Sequence, residues 1–276
     1  MSAPEIHQLT NQPITGAQRT IGALGDIHGA FDAARRVIAA HPEIPFWLCV
    51  GDIASESGAY EPLGARVYWI HGNNDNFDAI ASGALPDHLR HIENGTVVEI
   101  AGPEGPACDE ADAGRVSRPG GVGARPGVVR VAGLGGTFAP TWYETAAADL
   151  PHPKKGTAKA TELADKRRHF VRGDVERAAQ LRQIDVFLTH EAPKPFRPFP
   201  GGQSTGLGAG RGPDAGKAQI NEILRAMRPR LHLFGHHHRS SEQTVEGIRS
   251  IGLDLVTRSY AIVSLPDLAV HLHDSP

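Results

Sequence analysis

The chain has 276 residues, of which 40% are hydrophobic, so it is long enough to bury a sizeable core. Its 28 basic and 31 acidic residues give a formal net charge of −3, which argues against a protein that binds long nucleic acids. It has two cysteines, no apolar N-terminal segment and no run near the roughly 20 apolar residues of a membrane span. We therefore expect a cytoplasmic protein.

The N-terminal part of the chain predicts strands that alternate with helices or loops. Residues 1–18 are polar and contain two prolines, which indicates an irregular arm ahead of a single domain at residues 19–276. Three short apolar runs predict buried strands: Thr20–Leu24, Phe46–Val50 and Val67–Ile70. After the first run, apolar residues recur at helical spacing between Phe31 and Ile38. This alternation is typical of a mostly parallel sheet.

The middle of the chain predicts a hairpin and then a helical stretch. Thr96–Ile100 and Val128–Ala132 are strand-like, and the Gly- and Pro-rich residues 102–127 predict a solvated loop insertion between them. The composition of residues 158–183, rich in Ala, Lys, Arg, Glu and Leu, predicts two helices, with Asp174 as the N-cap of the second. We interpret the basic run within this stretch, residues 166–169, as a solvated face, with a binding patch as the less favoured alternative.

The C-terminal part predicts two buried strands, at Ile184–Thr189 and Leu231–Phe234. Between them, a second Gly- and Pro-rich insertion near residues 193–216 is a candidate substrate lid, and a helix follows from about Asp214 to Met227. Three cations of this lid are candidate substrate contacts: Lys194, Arg197 and Arg211. The alternating tail at residues 244–273 predicts three or four antiparallel strands that complete a second sheet.

Metal-ligand residue types follow five of the predicted strands. They are Asp26, His28, Asp52, Asn73, His190, His236 and His238. Taken singly, such a residue is most often a helix cap or a solvated histidine. Because the carboxyl ends of neighbouring parallel strands meet at one edge of a sheet, all seven are expected on one rim. Seven ligands are too many for one ion and suit two ions that share a bridging carboxylate.

The chemistry of these ligands selects the class of metal. Carboxylate and amide oxygens mixed with imidazole nitrogens, without a thiolate, suit divalent Mn, Fe, Zn, Ni or Mg. Among these, manganese is the ion that we expect most.

The order of the five motifs resembles the calcineurin-like metallophosphoesterase superfamily. They are Gly25-Asp26-Ile27-His28-Gly29, Gly51-Asp52, Gly72-Asn73-Asn74-Asp75, His190 and Gly235-His236-His237-His238. The resemblance implies an α/β fold, a four-layer αββα sandwich of two mixed sheets flanked by helices, with a dinuclear metal site at strand C-termini. It implies that one metal takes Asp26, His28, Asp52 and His238. Asp52 would bridge to a second metal held by Asn73, His190 and His236, and Asp75 would orient a ligand.

Two departures from the family pattern bear on the activity. The family often has His where this chain has Asn74, which can hydrogen-bond a phosphate but cannot protonate a leaving group. Members with other residues there are often phosphodiesterases. The acid could instead be His71, His237 or a metal-bound water, and a simple turn position is the alternative role of His237. In addition, Asp52 is followed by Ile53 rather than by the extension of the Ser/Thr protein phosphatases, so activity of that type is not expected.

The resemblance therefore predicts a phosphoester hydrolase in which a metal-bridging hydroxide attacks phosphorus in line. A phosphodiesterase is the expected activity. A phosphomonoesterase that acts on a small phosphorylated metabolite or a nucleotide is the alternative. A nuclease is a third possibility, and a non-catalytic scaffold that binds a partner is the rival from outside the enzymes. The acidic charge balance makes a small phosphorylated substrate a better partner than a long polyanion.

Overall fold

The structure, a computed structural model, describes residues 20–101, 116–117, 128–152, 165–198 and 214–276. The predicted N-terminal arm at residues 1–18 lies outside the described residues. So do most of the insertion at residues 102–127 and part of the insertion at residues 193–216, including Arg211.

A first sheet of six strands is built mainly from the N-terminal part of the chain, in the order β15-β14-β1-β2-β3-β4. Its strands are β1 (Thr20–Leu24), β2 (Trp47–Cys49), β3 (Val67–Trp69), β4 (Leu89–His91), β14 (Ser259–Ser264) and β15 (Val270–Asp274). The four N-terminal strands pair in parallel, whereas β14 pairs antiparallel with β1, and β15 antiparallel with β14. The sheet is therefore mixed, as predicted.

A second mixed sheet has seven strands in the order β12-β13-β11-β10-β7-β5-β6. Its strands are β5 (Val97–Ala101), β6 (Val116–Ser117), β7 (Val128–Leu134), β10 (Val186–Thr189), β11 (Leu231–Phe234), β12 (Ser241–Val245) and β13 (Ile248–Gly252). The central strands β7, β10, β11 and β13 are parallel, and β5 and β7 form the predicted antiparallel hairpin. A separate short ladder joins β8 (Thr137–Phe138) to β9 (His169–Phe170).

Within the described residues, four α-helices accompany the sheets: α1 (Phe31–Ala39), α2 (Phe77–Ser82), α3 (Arg172–Ala179) and α4 (Ala218–Met227). Single turns of 3₁₀ helix lie at Ala147–Asp149 and Lys166–Arg168. The apolar stripe of α1 packs on the outer face of the first sheet, and those of α3 and α4 pack on the outer face of the second. The two inner faces pack on each other, so the predicted four-layer αββα sandwich is confirmed.

The period-two pattern of the strands divides their side chains among these layers. In β2, Leu48 points into the core between the sheets, while Trp47 and Cys49 face α1. In β10, Val186 and Phe187 alternate in the same way between the inner core and the helical layer. Because such side chains are almost fully buried, each contributes about 1.5–3 kcal/mol of transfer free energy, which holds the layers together.

Two predicted segments are wrong in detail. Within residues 158–183, the described part before α3 is a 3₁₀ turn followed by β9 rather than a helix, because β9 pairs with β8. Asp174 is the third residue of α3 and not its cap, although its Oδ2 accepts a hydrogen bond from the main-chain N–H of Val171 at 3.0 Å. The C-terminal strands also divide between the two sheets instead of completing one of them.

Among the described residues, no helix has the length and apolar character needed to cross a membrane.

Candidate metal centre

The loops that follow β1, β2, β3, β10 and β11 converge at one rim of the sandwich. Because these strands run in parallel within their sheets, their carboxyl ends lie on the same side. All seven residues predicted as metal ligands lie in these loops: Asp26, His28, Asp52, Asn73, His190, His236 and His238. The distances between their side chains define two groups.

The outer group consists of Asp26, His28 and His238, whose ligand atoms all lie within 4.8 Å of one another. The Nε2 atoms of the two histidines are 3.0 Å apart. The Nε2 atom of His238 is 3.1 Å from Oδ2 of Asp26, and that of His28 is 3.8 Å from the same oxygen. Both histidine side chains are partly exposed, so this group opens to the surface.

The inner group consists of Asp52, His190 and His236, again with ligand atoms within 4.8 Å of one another. The Nε2 atom of His190 is 3.4 Å from Oδ2 of Asp52 and 3.1 Å from Oδ1 of Asn73. The predicted amide ligand therefore joins this group. The side chains of Asp52 and His190 are buried.

Asp52 lies between the two groups. Its Oδ2 atom is 3.6 Å from Nε2 of His28 in the outer group and 3.4 Å from Nε2 of His190 in the inner group. One carboxylate oxygen is thus within reach of ligands from both sides, which is the position that a bridging ligand needs.

Contacts from the main chain orient several of these side chains. The Nδ1 atom of His190 lies 2.9 Å from the carbonyl oxygen of Val50, so an Nδ1–H can donate to it and leave the Nε2 lone pair for a metal. The main-chain N–H of His236 donates to both oxygens of Asp26, at 3.2 and 3.1 Å. Glycine is needed at position 72, because a Cβ atom there would lie 2.0 Å from Oδ1 of Asp52 and would clash with the inner group.

Asp75 joins the loops that follow β2 and β3. Its buried carboxylate accepts hydrogen bonds from the main-chain N–H groups of Asp52 (2.9 Å), Ile53 (3.0 Å), Ala54 (3.1 Å) and Gly72 (2.7 Å). These bonds hold the main chain on both sides of the inner group. They are the contacts of a residue that orients ligands, in line with the role that the resemblance implies.

Besides Asp75, the other two residues predicted to act in catalysis, Asn74 and His237, are placed very differently. Asn74 lies over Asp52, to which its main-chain N–H donates at 2.7 Å and its Nδ2 at 2.8 Å. His237 turns inward, with its ring 4.7 Å from that of Phe196 and its Nε2 3.8 Å from Oε2 of Glu191. The structure therefore brings Asn74 to the centre and does not bring His237 there.

The main chain adopts the left-handed conformation at four of the seven ligand positions. The φ angle is 46° at His28, 51° at Asp52, 67° at His236 and 47° at His238. Residues other than glycine avoid this region, and each such residue costs on the order of 1–3 kcal/mol. Strain of this kind is typical of functional sites. It indicates that these four side chains are present for their chemistry, because local conformational preferences would favour other residues.

The electrostatics of the inner group favour a cation. Burial would lower the pKa of His190, but the charge of Asp52 and its hydrogen bond outweigh burial and raise that pKa to about 10. Burial would likewise raise the pKa of Asp52, yet His190 and the hydrogen bonds from Asn74 hold it below its usual range. The oxygen and imidazole donors suit hard or borderline divalent ions, so the residues fit the metals that were expected.

A cleft of about 850 Å³ opens beside the outer group. Its lining includes His28, His238, Asn74 and Phe77 together with Arg167 and Arg168. The predicted substrate contacts Lys194 and Arg197 are not among the lining residues, and Lys194 instead lies 4.0 Å from Oδ2 of Asp214.

Sequence reasoning missed the two arginines of the cleft because it interpreted their run as a solvated face. Arg168 reaches the cleft through the pairing of β8 with β9, which joins residues about 30 positions apart. The one signal that could have found this segment is the Gly135-Gly136 pair before β8, which allows another chain segment to approach closely.

The fold and the rim geometry together define a protein with two candidate metal groups joined by one carboxylate, at the strand ends of an αββα sandwich. The profile of the family described as calcineurin-like phosphoesterase matches residues 19–240. The chain belongs to this family, and a metal-dependent phosphoester hydrolase is the general activity that follows. A search of curated proteins found no match.

Solved structures share the fold at low sequence identity. The crystal structure of TT1561 from Thermus thermophilus is 12% identical, with a TM-score of 0.55 over 93% of this chain and 98% of its own. A second crystal structure is 14% identical, with a TM-score of 0.57 over 94% of this chain and 99% of its own.

Proposed function

We propose that this protein is a dinuclear phosphodiesterase that hydrolyses a small phosphorylated substrate in the cleft beside Asn74. The observation that carries the dinuclear part is the position of Asp52, whose Oδ2 lies 3.6 Å from His28 and 3.4 Å from His190. Two divalent cations bound by the two groups would polarise the phosphoryl group and lower the pKa of a water molecule. Mn²⁺ is the ion that we propose, with Fe, Zn, Ni or Mg as alternatives for the same donors.

The residues of the chain divide the remaining work. The outer and inner groups would hold the cations. Asp75 keeps the loops that follow β2 and β3 in place through its four main-chain hydrogen bonds. Asn74 presents an uncharged amide at the mouth of the site, fixed on Asp52. That amide orients a phosphoryl oxygen by hydrogen bonding but transfers no proton.

The preference for a diester rests on Asn74. General acid catalysis accelerates a reaction by about 10²–10⁴-fold, and an amide at this position cannot provide it. His237 does not supply the missing acid, because its Nε2 lies beside Glu191 and away from the cleft.

One observation favours a phosphomonoesterase as the second candidate. Arg168 lines the cleft beside Asn74 and brings a permanent positive charge there. A cation at this place suits the additional non-bridging oxygen and the second negative charge of a monoester, such as a nucleotide or another small metabolite.

The two candidates are separated by comparing bis-(p-nitrophenyl) phosphate with p-nitrophenyl phosphate at one fixed Mn²⁺ concentration. A higher kcat/KM for the diester is expected. A tenfold or greater preference for the monoester would replace the proposal with the second candidate. Protein that carries two metal ions per chain and hydrolyses neither compound would overturn both and support a binding scaffold.

A further inference from the structure

The segment Asp165–Arg168 brings two guanidinium groups to the cleft, and the first is already neutralised by carboxylates. The Nε atom of Arg167 lies 3.0 Å from each carboxylate oxygen of Asp165, and its Nη2 lies 2.7 Å from Oδ1 of Asp78. Its guanidinium also lies over the ring of Phe77, 5.8 Å from the centroid. Arg167 therefore serves to hold the wall of the cleft.

Arg168 has different partners. Its Nη2 donates to the main-chain carbonyl of Asn73, and its Nε is buried without a hydrogen-bond partner. Across the part of the chain that the structure describes, no carboxylate forms an ion pair with this guanidinium. A buried donor on a permanently charged group is costly unless an acceptor reaches it, so the arrangement calls for an anion.

The main chain of Arg168 is held firmly at this place. Its carbonyl oxygen accepts a hydrogen bond from Oγ1 of Thr137 at 3.5 Å, and the adjacent His169 pairs with Thr137 in the β8–β9 ladder. Gly136, at φ 82°, permits this approach, because a Cβ there would lie 2.7 Å from the carbonyl oxygen of Arg168. The side chain is thus fixed at both ends, by the ladder and by Asn73.

From this geometry we propose that Arg168 binds a non-bridging oxygen of the phosphoryl group of the substrate. Its anchor, the carbonyl of Asn73, is one residue from Asn74, whose amide lies on Asp52. The guanidinium therefore borders the place where a phosphoryl group would face both candidate metal groups. The proposal deepens the proposed function and rests on it for the identity of the anion.

Arginine is suited to this task in a way that the neighbouring groups are not. Its planar fork can donate two parallel hydrogen bonds to phosphate oxygens, and it keeps its charge across the physiological pH range. Asn74 offers hydrogen bonds without charge, so Arg168 supplies the positive charge for the oxygens that turn away from the metals. Such a preorganised donor acts most strongly on the charge that develops in the transition state.

The test is a calorimetric titration of Mn²⁺-loaded protein with inorganic phosphate, which needs no turnover. In Arg168→Gln, the Kd for phosphate is expected to rise about 10- to 100-fold, which corresponds to the loss of a hydrogen bond to a charged group. The Mn²⁺ content is expected to stay at the wild-type value. Arg172→Gln is the matched control: it removes the same charge four residues away, where Arg172 pairs with Glu144 outside the cleft, and it should keep the wild-type Kd within about twofold.

Each result has a defined meaning. Phosphate affinity in Arg168→Gln equal to that of the wild type would overturn the proposal, as would loss of Mn²⁺ from this variant, because Arg168 would then act by holding Asn73. Failure of the wild type to bind phosphate would also overturn it. Partial recovery of phosphate binding by Arg168→Ala when guanidinium ion is added would support direct contact, since a structural role would not be rescued in this way.

Two further controls keep the test decisive. If Arg168→Gln does not fold, Arg168→Lys carries the same comparison, because it lacks the Nε donor and the fork; a wild-type Kd in that variant would overturn the proposal. If the wild type binds phosphate through Arg168 but hydrolyses neither p-nitrophenyl compound, the proposed function fails while the assignment of Arg168 stands.

Discussion

The two candidate metal groups use the same kinds of ligand, but the inner group has two buried members and the outer group only one, Asp26. In the inner group, the side chains of Asp52 and His190 are 1% and 0% exposed, whereas His28 and His238 of the outer group are 31% and 40% exposed. His190 is also oriented by the carbonyl of Val50, and no described carbonyl does this for His28 or His238. We therefore expect the inner group to retain a cation more tightly than the outer group.

Removal of the Asp52 carboxylate should produce the largest loss of metal and activity, because both candidate metal groups share this ligand. In Asp52→Asn we expect fewer than one bound metal ion per chain, measured by elemental analysis. We also expect a loss of kcat/KM well above the roughly 100-fold cost of removing a residue that only orients a metal ligand. Asp32→Asn makes the same change at an exposed position and should leave both quantities unchanged. An Asp52→Asn protein with two bound ions and near-normal turnover would contradict the proposal that Asp52 bridges the two metals.

Single substitutions in each group should produce intermediate and unequal effects. After dialysis against a weak chelator, His238→Ala should lose only the exchangeable ion and regain most of its turnover in millimolar Mn²⁺. His190→Ala should lose the retained ion and recover far less, with an apparent metal affinity lower by more than about 10–100-fold. Thermal denaturation of both variants controls for the cavity left by the buried ring. Equal recovery of the two variants, or the reverse order, would contradict the proposed difference in depth.

The smallest expected effect is on the pH dependence of stability and concerns His232, a buried histidine outside both candidate metal groups. His232 lies between Oγ1 of Thr189 at 2.8 Å and Oγ of Ser250 at 3.1 Å, and burial lowers its pKa to about 3. Since the unfolded chain takes up this proton near pH 6.5, the free energy of unfolding falls as the pH drops from 6.5 towards 3. The loss is about 1.4 kcal/mol per pH unit, or about 2 kcal/mol at pH 5.

This contribution can be measured by urea unfolding of metal-free protein at pH 7 and pH 5. His232→Gln should lose less stability between the two pH values than the wild type, while His88→Gln, at an exposed position, should lose as much as the wild type. The same slope in all three proteins would refute the assignment. With this contribution known, metal release on acidification can be separated from unfolding when the two metal groups are compared.

Local patterns in the sequence predicted the parts of the fold and the site that are set by adjacent residues. The continuous apolar run Phe46–Val50 indicated a fully buried strand, and Asp52 follows that run closely, so its place on the rim could be inferred. The division of β12 to β15 between two sheets could not, because alternation indicates a strand without indicating its neighbour.

The entry of Arg168 into the cleft illustrates what local patterns leave out. The composition around it favours a helix, but pairing of β8 with β9 outweighs that preference, since propensity is weaker than tertiary contacts. In the sequence, a basic run that faces solvent on a helix cannot be distinguished from one that lines a cleft. Only the contact with Asn73, 95 positions away in the chain, distinguishes the two cases.

The left-handed main chain at His28, Asp52, His236 and His238 has a consequence for protein engineering. A sequence optimised only for thermal stability would place glycine or asparagine at these four positions, because those residues relieve the conformational cost. Glycine variants at the more exposed positions, His28 and His238, should therefore be obtained as well-folded proteins that are inactive unless Mn²⁺ is added. Such variants would serve as structural stand-ins for the active chain in which substrates can be trapped intact.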